Sequence, residues 1–313
     1  ICCIARPEAF ALDAILALPE NVSVTFDYGP TILAPMKGKV NADGERTNVK
    51  WTSLAMASDE CKQDMDKATI DHLAAAVTYN GVSLGDIVIT GQATVDITSC
   101  TISNLRLDTI PTGAVVTIRD TTFTGALHFN AALTDVTVVL DNVQCGTGTL
   151  TGYCVVFSQH VSNSRITVTG GRYHGTDSGL RFDNSAITNT QLTIDGLETE
   201  ANVHGLTIYS PMTGSTVSVA NSVGSSDTGH GVIMTAATGA AVTLNGVTGT
   251  AVGGTGNGIR CTAFSGSGTL GLTAVSGTSG ADVGIYIQNI ADTAVTIGGL
   301  SDGTGATNGL EAN

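Results

Sequence analysis

The sequence repeats itself about every 26 residues from about residue 114 onwards. Each repeat has a short alternating strand pattern and, later, a segment that begins with glycine, such as Gly205-Leu206-Thr207-Ile208. These glycines are 25 to 27 residues apart, and they are Gly179, Gly205, Gly231, Gly258, Gly284 and Gly309. A fixed period of this size indicates a solenoid, in which each coil contacts only its neighbours.

The apolar residues of each repeat lie at i and i+2, as in Ile166-Thr167-Val168, which is the period of a strand and not of a helix. Asn-Gly and Asp-Gly pairs supply the bends between strands. A leucine-rich repeat is the competing solenoid, but its Leu/Asn consensus is absent and no helical pattern follows residue 80. The sequence therefore predicts an all-β fold, a parallel β-helix of roughly nine coils over residues 84–313 with three strands per coil. We expect it to be right-handed, as parallel crossovers are.

The alternation also predicts which side chains face the core. We expect Thr193, Thr243 and Thr296 to be exposed on the first strand of their coils. The side chains expected to be buried are Leu180, Phe182, Leu206, Ile208, Val232, Met234, Ile259, Ile285 and Ile287.

Residues 1–83 do not share the repeat, and their sequence pattern predicts a small α/β segment. Its expected elements are a helix over Pro7–Leu18, a strand over Asn21–Tyr28, one or two strands between Lys37 and Trp51, and a helix from about Asp59 to Ala76. Such a segment typically caps the open end of a solenoid, and a separate module is the alternative.

The charge is strongly acidic, with a net value of −14 and all five lysines before residue 70. Phosphate binding needs a basic stripe, so the composition excludes a nucleic-acid partner. The sequence contains no run of 18 apolar residues, so it predicts no membrane span. No calcium-loop motif occurs, and the sequence predicts no cofactor or metal.

The cysteines and the first residue, Ile1, indicate a processed, secreted protein. Cys145 and Cys154 flank a loop that a disulfide would staple, whereas Cys261 occupies an inward position and is expected to be a buried free thiol. Asn21 begins the one N-glycosylation sequon. Further disulfides, of undetermined connectivity, are expected among Cys2, Cys3, Cys61 and Cys100.

Two short stretches suggest a catalytic site. Gly229-His230-Gly231 and the later Arg260 resemble two signatures of the polygalacturonase family, whose inverting hydrolysis needs a pair of carboxylates. No two aspartates are adjacent in the chain, and His204 stands where the preceding coil would carry an acid. The outward positions of the repeats also show no clustered acids or aromatic platforms, so we predict no catalytic residues. A stacked pair of His204 and His230 that responds to pH or binds a metal is an alternative.

A threonine ladder on the first strand suggests ice binding as a further alternative. It is one residue wide and is interrupted by Gly271, and exposed strand positions favour threonine in any case. Its members are Thr117, Thr137, Thr167, Thr193, Ser218, Thr243 and Thr296.

The stretch from Asp135-Val136-Thr137-Val138-Val139-Leu140 to Ser162-Asn163-Ser164-Arg165-Ile166-Thr167-Val168-Thr169-Gly170 resembles the dispersed-gene-family surface proteins of trypanosomes and related flagellates. These are pectin-lyase-like β-helix ectodomains, and the resemblance covers about a third of the chain. It implies a surface-exposed adhesive or structural role and no site residues.

The repeat pattern stops one strand into a coil, and we expect an uncovered edge at Gly309, Leu310 and Asn313. We expect this edge to dock on residues 1–83 of another copy, and such head-to-tail contacts build filaments. The predicted function is a non-catalytic, secreted or cell-surface structural or adhesive β-helix, with self-association and a glycan or cell-surface partner. The alternatives are a carbohydrate-active or glycan-binding β-helix of the polygalacturonase or tailspike kind, and an ice-binding protein.

Overall fold

The computed structural model describes residues 76–146, 152–183 and 186–300, and the backbone of Lys37–Val40, Arg46–Lys50, Thr69–Asp71 and Leu310–Ala312. Within these residues all regular elements are β-strands. All of them except Lys37–Val40 and Arg46–Lys50 form a parallel β-solenoid of about 8 turns with about 25 residues per turn, close to the predicted nine coils of 26. The right-handed sense of the coil stays a prediction.

A complete coil contains four strands, named A to D in chain order, and not three as predicted. The coil that includes Gly205 is an example, with A at Gln191–Asp195, B at Glu198–Ala201, C at His204–Ile208 and D at Met212–Thr213. Each strand pairs in parallel with its counterparts in the neighbouring coils. Strand D was missed because its two residues are too short for an alternating pattern.

The bounds of the other strands follow the same order. The further A strands are Ala76–Asn80, Thr94–Thr98, Val115–Arg119, Thr137–Asp141, Arg165–Thr169, Thr216–Ala220, Ala241–Asn245 and Ala294–Leu300. The further B strands are Thr122–Phe123, Gln144–Cys145, Arg172–Gly175, Val223–Ser226 and Thr248–Ala251. The further C strands are Thr69–Asp71, Leu127–Phe129, Val155–Phe157, Ser178–Phe182 and Leu310–Ala312, and the further D strands are Leu133–Thr134, Val161–Ser162 and Ile187–Thr188.

Six strands run through a corner and combine two positions. Thr269–Ser279 joins A and B, because it pairs with both Ala241–Asn245 and Thr248–Ala251. Ser83–Thr90 and Thr101–Thr109 join B and C. The strands that join C and D are Val232–Thr238, Ile259–Ser265 and Ile285–Ile290.

The coils are shorter at the N-terminal end of the solenoid. Asp86 and Asn104 bond across neighbouring coils 18 residues apart, and Asn104 and Ala126 across the next pair 22 apart. Later neighbours such as Ser164 and Thr190 are 26 apart. The 26-residue period is therefore invisible before residue 114, although the solenoid is already formed there.

The inner row of the coils is the core, as predicted. All nine side chains expected to be buried are at most 3% exposed. At one position in strand C the rings of Phe129, Phe157 and Phe182 stack in three successive coils, with centroids 4.3 and 4.5 Å apart. Thr243 and Thr296 are exposed and Thr193 is half-buried, which confirms the outward register of strand A.

The recurring glycines at the start of strand C are required by close packing. Gly205, Gly231 and Gly258 are absent from the positive-φ glycines. A Cβ on Gly205 would lie 2.5 Å from the carbonyl oxygen of Gly231 and 2.7 Å from the backbone nitrogen of Ser225. Strands B and C thus approach each other backbone to backbone, which leaves no room for a side chain.

The predicted helix up to Ala76 is wrong at its C-terminal end. Thr69–Asp71 is a strand paired with Ser83–Thr90, and Ala76–Asn80 is an A strand paired with Thr94–Thr98. Val77 and Tyr79 alternate into the core at 2% and 1% exposure, a strand period that outweighs the helical one. The sheets therefore extend to the N-terminal side of residue 83. The helix over Pro7–Leu18 and the strand over Asn21–Tyr28 lie outside the described residues.

The strands expected between Lys37 and Trp51 are present. Lys37–Val40 and Arg46–Lys50 form an antiparallel pair. Among the described residues, no helix has the length and apolar character needed to cross a membrane.

Candidate functional site

The outward row of strand C carries polar and aromatic side chains in successive coils. The register aligns Arg181, Thr207, Ile233, Arg260 and Tyr286. Thr207 and Ile233 are 0% and 3% exposed although they point away from the core, so other side chains cover the middle of this row. We call this surface, with the residues that pack on it from the neighbouring corners, the strand C face.

At one end of the strand C face, a cluster of side chains surrounds Arg181. Its guanidinium is bonded to Asp183 at 2.9 Å and to Asp177 at 3.5 Å, and the side chain is 15% exposed. It also lies 4.5 Å from the ring centroid of Tyr153 and 5.3 Å from that of Tyr209, within the range of cation–π attraction. Two carboxylates and two phenol rings therefore hold one cation.

His204 and His230 stack beside this cluster, with ring centroids 5.4 Å apart and planes 6° from parallel. The backbone N–H of His230 donates to Nδ1 of His204 at 3.1 Å, and the N–H of Asn257 donates to Nδ1 of His230 at 2.8 Å. An Nδ1 atom that accepts a hydrogen bond carries no proton, so each neutral ring has its proton on Nε2.

The two Nε2 atoms differ in their surroundings. Nε2 of His204 donates to the hydroxyl oxygen of Tyr209 at 2.8 Å. Nε2 of His230 has no hydrogen-bond partner among the described residues, and the side chain is half-buried. His230 therefore presents a free N–H donor at the strand C face.

The pKa values of both histidines are lowered. Burial is the main cause for each ring. The positive charge of Arg260 and the neighbouring His204 lower the pKa of His230 further, to about 4. Both rings are consequently neutral at pH 7, which agrees with their role as hydrogen-bond acceptors at Nδ1.

Arg260 forms the other end of the strand C face. Its guanidinium lies 5.2 Å from the ring centroid of Tyr286, and the side chain is half-buried. No carboxylate of the described residues lies within 4.0 Å of it, in contrast to Arg106, Arg172 and Arg181, each of which is ion-paired.

The loop that supplies Tyr153 is closed by a disulfide between Cys145 and Cys154, whose Cα atoms are 5.9 Å apart. This is the bridge that the sequence predicted. Cys261 is a buried free thiol, also as predicted. Cys100 was counted among the cysteines of further bridges, and it is instead a buried free thiol whose Sγ donates to the carbonyl oxygen of Thr98.

Other predicted site residues lie at the ends of the chain. Leu310 is in a C strand that pairs with Ile285–Ile290. The predicted sites that lie outside the described residues are Cys2, Cys3, Cys61, Asn21, Gly309 and Asn313.

The sequence missed the cluster around Arg181. We expected outward positions without grouped acids or aromatic rings, and this is wrong, because Tyr153, Asp177, Asp183 and Tyr209 all surround Arg181. Both tyrosines lie in corners and loops, where no period marks their direction. The stacked histidines were anticipated from their one-coil spacing. In the part of the chain that is described, no three His, Cys, Asp or Glu side chains are grouped to hold a metal ion.

The threonine ladder of strand A is real but displaced in one coil. Thr117 and Thr167 align with Val139, not with Thr137, which pairs with Val115 and Arg165. The ladder is also broken at Gly271, which aligns with Thr243 and Thr296.

No family model matches this chain, and no curated protein matches it either. The fold and the site therefore define it only as a parallel β-solenoid with a tyrosine- and arginine-lined face on strand C.

Proposed function

We propose that this protein is a secreted, non-catalytic adhesive β-solenoid that binds a cell-surface glycan at the strand C face. The observation that carries the proposal is the grouping of Tyr153, Tyr209 and Tyr286 with Arg181 and Arg260 along one row of coils. Glycan sites combine aromatic rings, on which the apolar faces of sugars pack, with a few fixed polar groups that orient the hydroxyls. The face offers both.

The carboxylates of the face argue against hydrolysis. Glycoside hydrolysis commonly needs one carboxylate as acid and another as base or nucleophile, on opposite sides of the scissile bond. Asp177 and Asp183 instead bond to the same guanidinium of Arg181. Carboxylates committed to one cation support binding better than proton transfer.

Secretion and surface exposure rest on two further observations. The Cys145–Cys154 disulfide is typical of an oxidising compartment. The stretch from Asp135 to Gly170 resembles flagellate surface proteins, which agrees with an adhesive role.

An immobilised panel of neutral and acidic oligosaccharides tests the proposal, with Tyr286→Ala as the variant and Thr243→Ala on strand A as the matched control. We expect the wild type and Thr243→Ala to bind at least one glycan class and Tyr286→Ala to lose most of that binding. Mass spectrometry of the bound glycans should find them unshortened. Binding to none of the panel, or cleavage of a bound glycan, contradicts the proposal.

We also propose that copies of this protein associate end to end, and one separate observation supports this. Val295 and Ile297 continue the inward row of strand A, yet they are 41% and 46% exposed, whereas Leu270 and Leu272 in the preceding coil are 0% exposed. Apolar strand surface of this kind is a site of pairing with another chain. Sedimentation at several concentrations should show oligomers that the double substitution Val295→Thr and Ile297→Thr removes, with Thr296→Ser as the control. Monomers at all concentrations contradict this second proposal.

A further inference from the structure

We propose that the Arg260 end of the strand C face binds the carboxylate of an acidic sugar, while the Arg181 end takes a neutral part of the same glycan. This inference rests on the proposed glycan binding and adds the class of the ligand and its direction along the solenoid.

The first argument is the missing counter-charge of Arg260. Taking a cation partly out of water is costly unless an anion or hydrogen-bond acceptors replace the water. Arg181, the other half-buried arginine of the face, has two carboxylates, but Arg260 has none among the described residues. Arg119 and Arg165 also lack an ion pair with any described residue, but both are exposed and remain hydrated. In a chain of net charge −14, Arg260 therefore stands out as the cation that a ligand would neutralise.

The second argument is the free donor of His230. The N–H of Asn257 fixes Nδ1 as an acceptor, so the proton of the neutral ring lies on Nε2. Arg260 aligns in the register with Ile233, three residues after His230, and its charge helps to lower the pKa of His230. A carboxylate has two oxygens with several lone pairs, and it can accept from the guanidinium and from an imidazole N–H.

The third argument is the orientation of Arg260 over Tyr286. The Arg260 guanidinium contacts the Tyr286 ring with one of its flat faces, and the N–H groups in the plane of the guanidinium stay available for hydrogen bonds. Those groups match the two oxygens of a planar carboxylate. The phenol ring would lie beside the sugar that carries the carboxylate.

The Arg181 end of the face should prefer a neutral group over a carboxylate. Asp177 and Asp183 already balance its cation and would repel a second anion. Arg181 and Arg260 are three coils apart in the register, which is about 14 Å at a strand spacing of ~4.8 Å. A linear glycan along the solenoid axis would therefore meet a site for acid at one end and a site for hydroxyls at the other.

Calorimetric titration with three matched probes tests the inference: a uronic-acid oligosaccharide, its carboxyl-reduced derivative and a sulfated oligosaccharide of the same length. We expect the acidic form to bind about tenfold more tightly than the reduced form, the preference that a charge-assisted contact provides. Arg260→Gln should remove this preference, so that the acidic and the reduced forms bind with equal affinity. Arg165→Gln, which makes the same change in net charge at an exposed site, should keep the preference. His230→Gln should reduce it in part.

Each other outcome has a defined meaning. Equal affinity for acidic and reduced forms overturns the carboxylate site and leaves the glycan proposal standing. Tighter binding of the sulfated probe overturns the assignment to a carboxylate. Absence of binding by all three probes and by the wider glycan panel overturns both proposals. Thermal unfolding of each variant shows whether a loss of binding reflects a loss of the fold, and if Arg260→Gln is unfolded, Arg260→Lys replaces it, with the preference for the acidic form expected to fall.

Discussion

The backbone N–H of His230 donates to Nδ1 of His204 at 3.1 Å, and the two rings stack one coil apart. The same bond recurs from Asn257 to His230, so successive coils are tied by imidazoles that must stay unprotonated at Nδ1. Protonation of either ring would replace an acceptor with a donor and break the bond. The pair therefore links the stability of the strand C face to pH.

We predict that acid destabilises the fold through His230. The unfolded histidine has a pKa near 6.5, whereas burial, Arg260 and His204 lower the folded value to about 4. Between these values the unfolded chain binds a proton that the folded chain does not, so this contribution to stability is complete above about pH 6.5 and is lost as the pH falls towards 4. His204 acts in the same direction, because burial and Arg181 outweigh the opposite effect of Asp177 on its pKa.

Urea unfolding at pH 7 and at pH 4.5 measures this effect. His230→Gln should lose less stability than the wild type between the two values, whereas His174→Gln, at an exposed position in strand B, should follow the wild type. An unchanged pH dependence in His230→Gln would show that this histidine is not the group involved.

We predict that the glycine column of strand C tolerates no side chain. In Gly231→Ala the new Cβ would overlap the backbone nitrogen of Thr250 and the carbonyl oxygens of Gly224 and Gly258. Backbone atoms of paired strands cannot move aside, so the free energy of unfolding should fall by about 3 kcal/mol or more. Chemical denaturation measures the loss.

Gly271→Ala is the matched control. Its Cβ would meet only side-chain atoms of Thr243 and a backbone oxygen of Val242, all at 3.7 Å or more. We expect a change within about 1 kcal/mol. Equal losses in both variants would mean that glycine is needed in strands generally and not for the contact between strands B and C.

We predict that the Cys145–Cys154 disulfide supports both stability and binding. The bridge joins residues 9 apart, and chain-entropy arguments assign about 2–3 kcal/mol to a loop of this length. Cys154 is adjacent to Tyr153, whose ring packs on Arg181, so the double substitution to serine should also weaken glycan binding. Cys261→Ser, which removes a free thiol far from the loop in sequence, is the control.

Unfolding and glycan titration of the two variants separate these effects. Loss of stability with undiminished affinity would show that Tyr153 holds its position without the bridge. Equal behaviour of both variants and the wild type would contradict the prediction as a whole.

The sequence determined the solenoid and its inner face. One period of two residues places Leu206 and Ile208 on the same side of a strand, and one period of about 26 places Val232 and Met234 beside them in the next coil. Both periods are local or repeated, so they can be counted along the chain. The shorter first coils and the two-residue D strands offer no such count, and the C strand at Thr69–Asp71 was assigned to a helix for that reason.

Only the tertiary structure decided what the outer face contains. Tyr153, Asp183 and Tyr209 come from a loop and two corners, whose directions depend on how each coil closes, and the structure brings all three to Arg181. That Arg260 has no carboxylate partner among the described residues is likewise a property of the assembled surface, because the chain has an excess of acidic residues and nothing in their order shows which cations they pair with. Periodicity identifies the side chains that recur in the core of each coil. Electrostatic pairing across coils depends instead on distances that are set only when the coils stack.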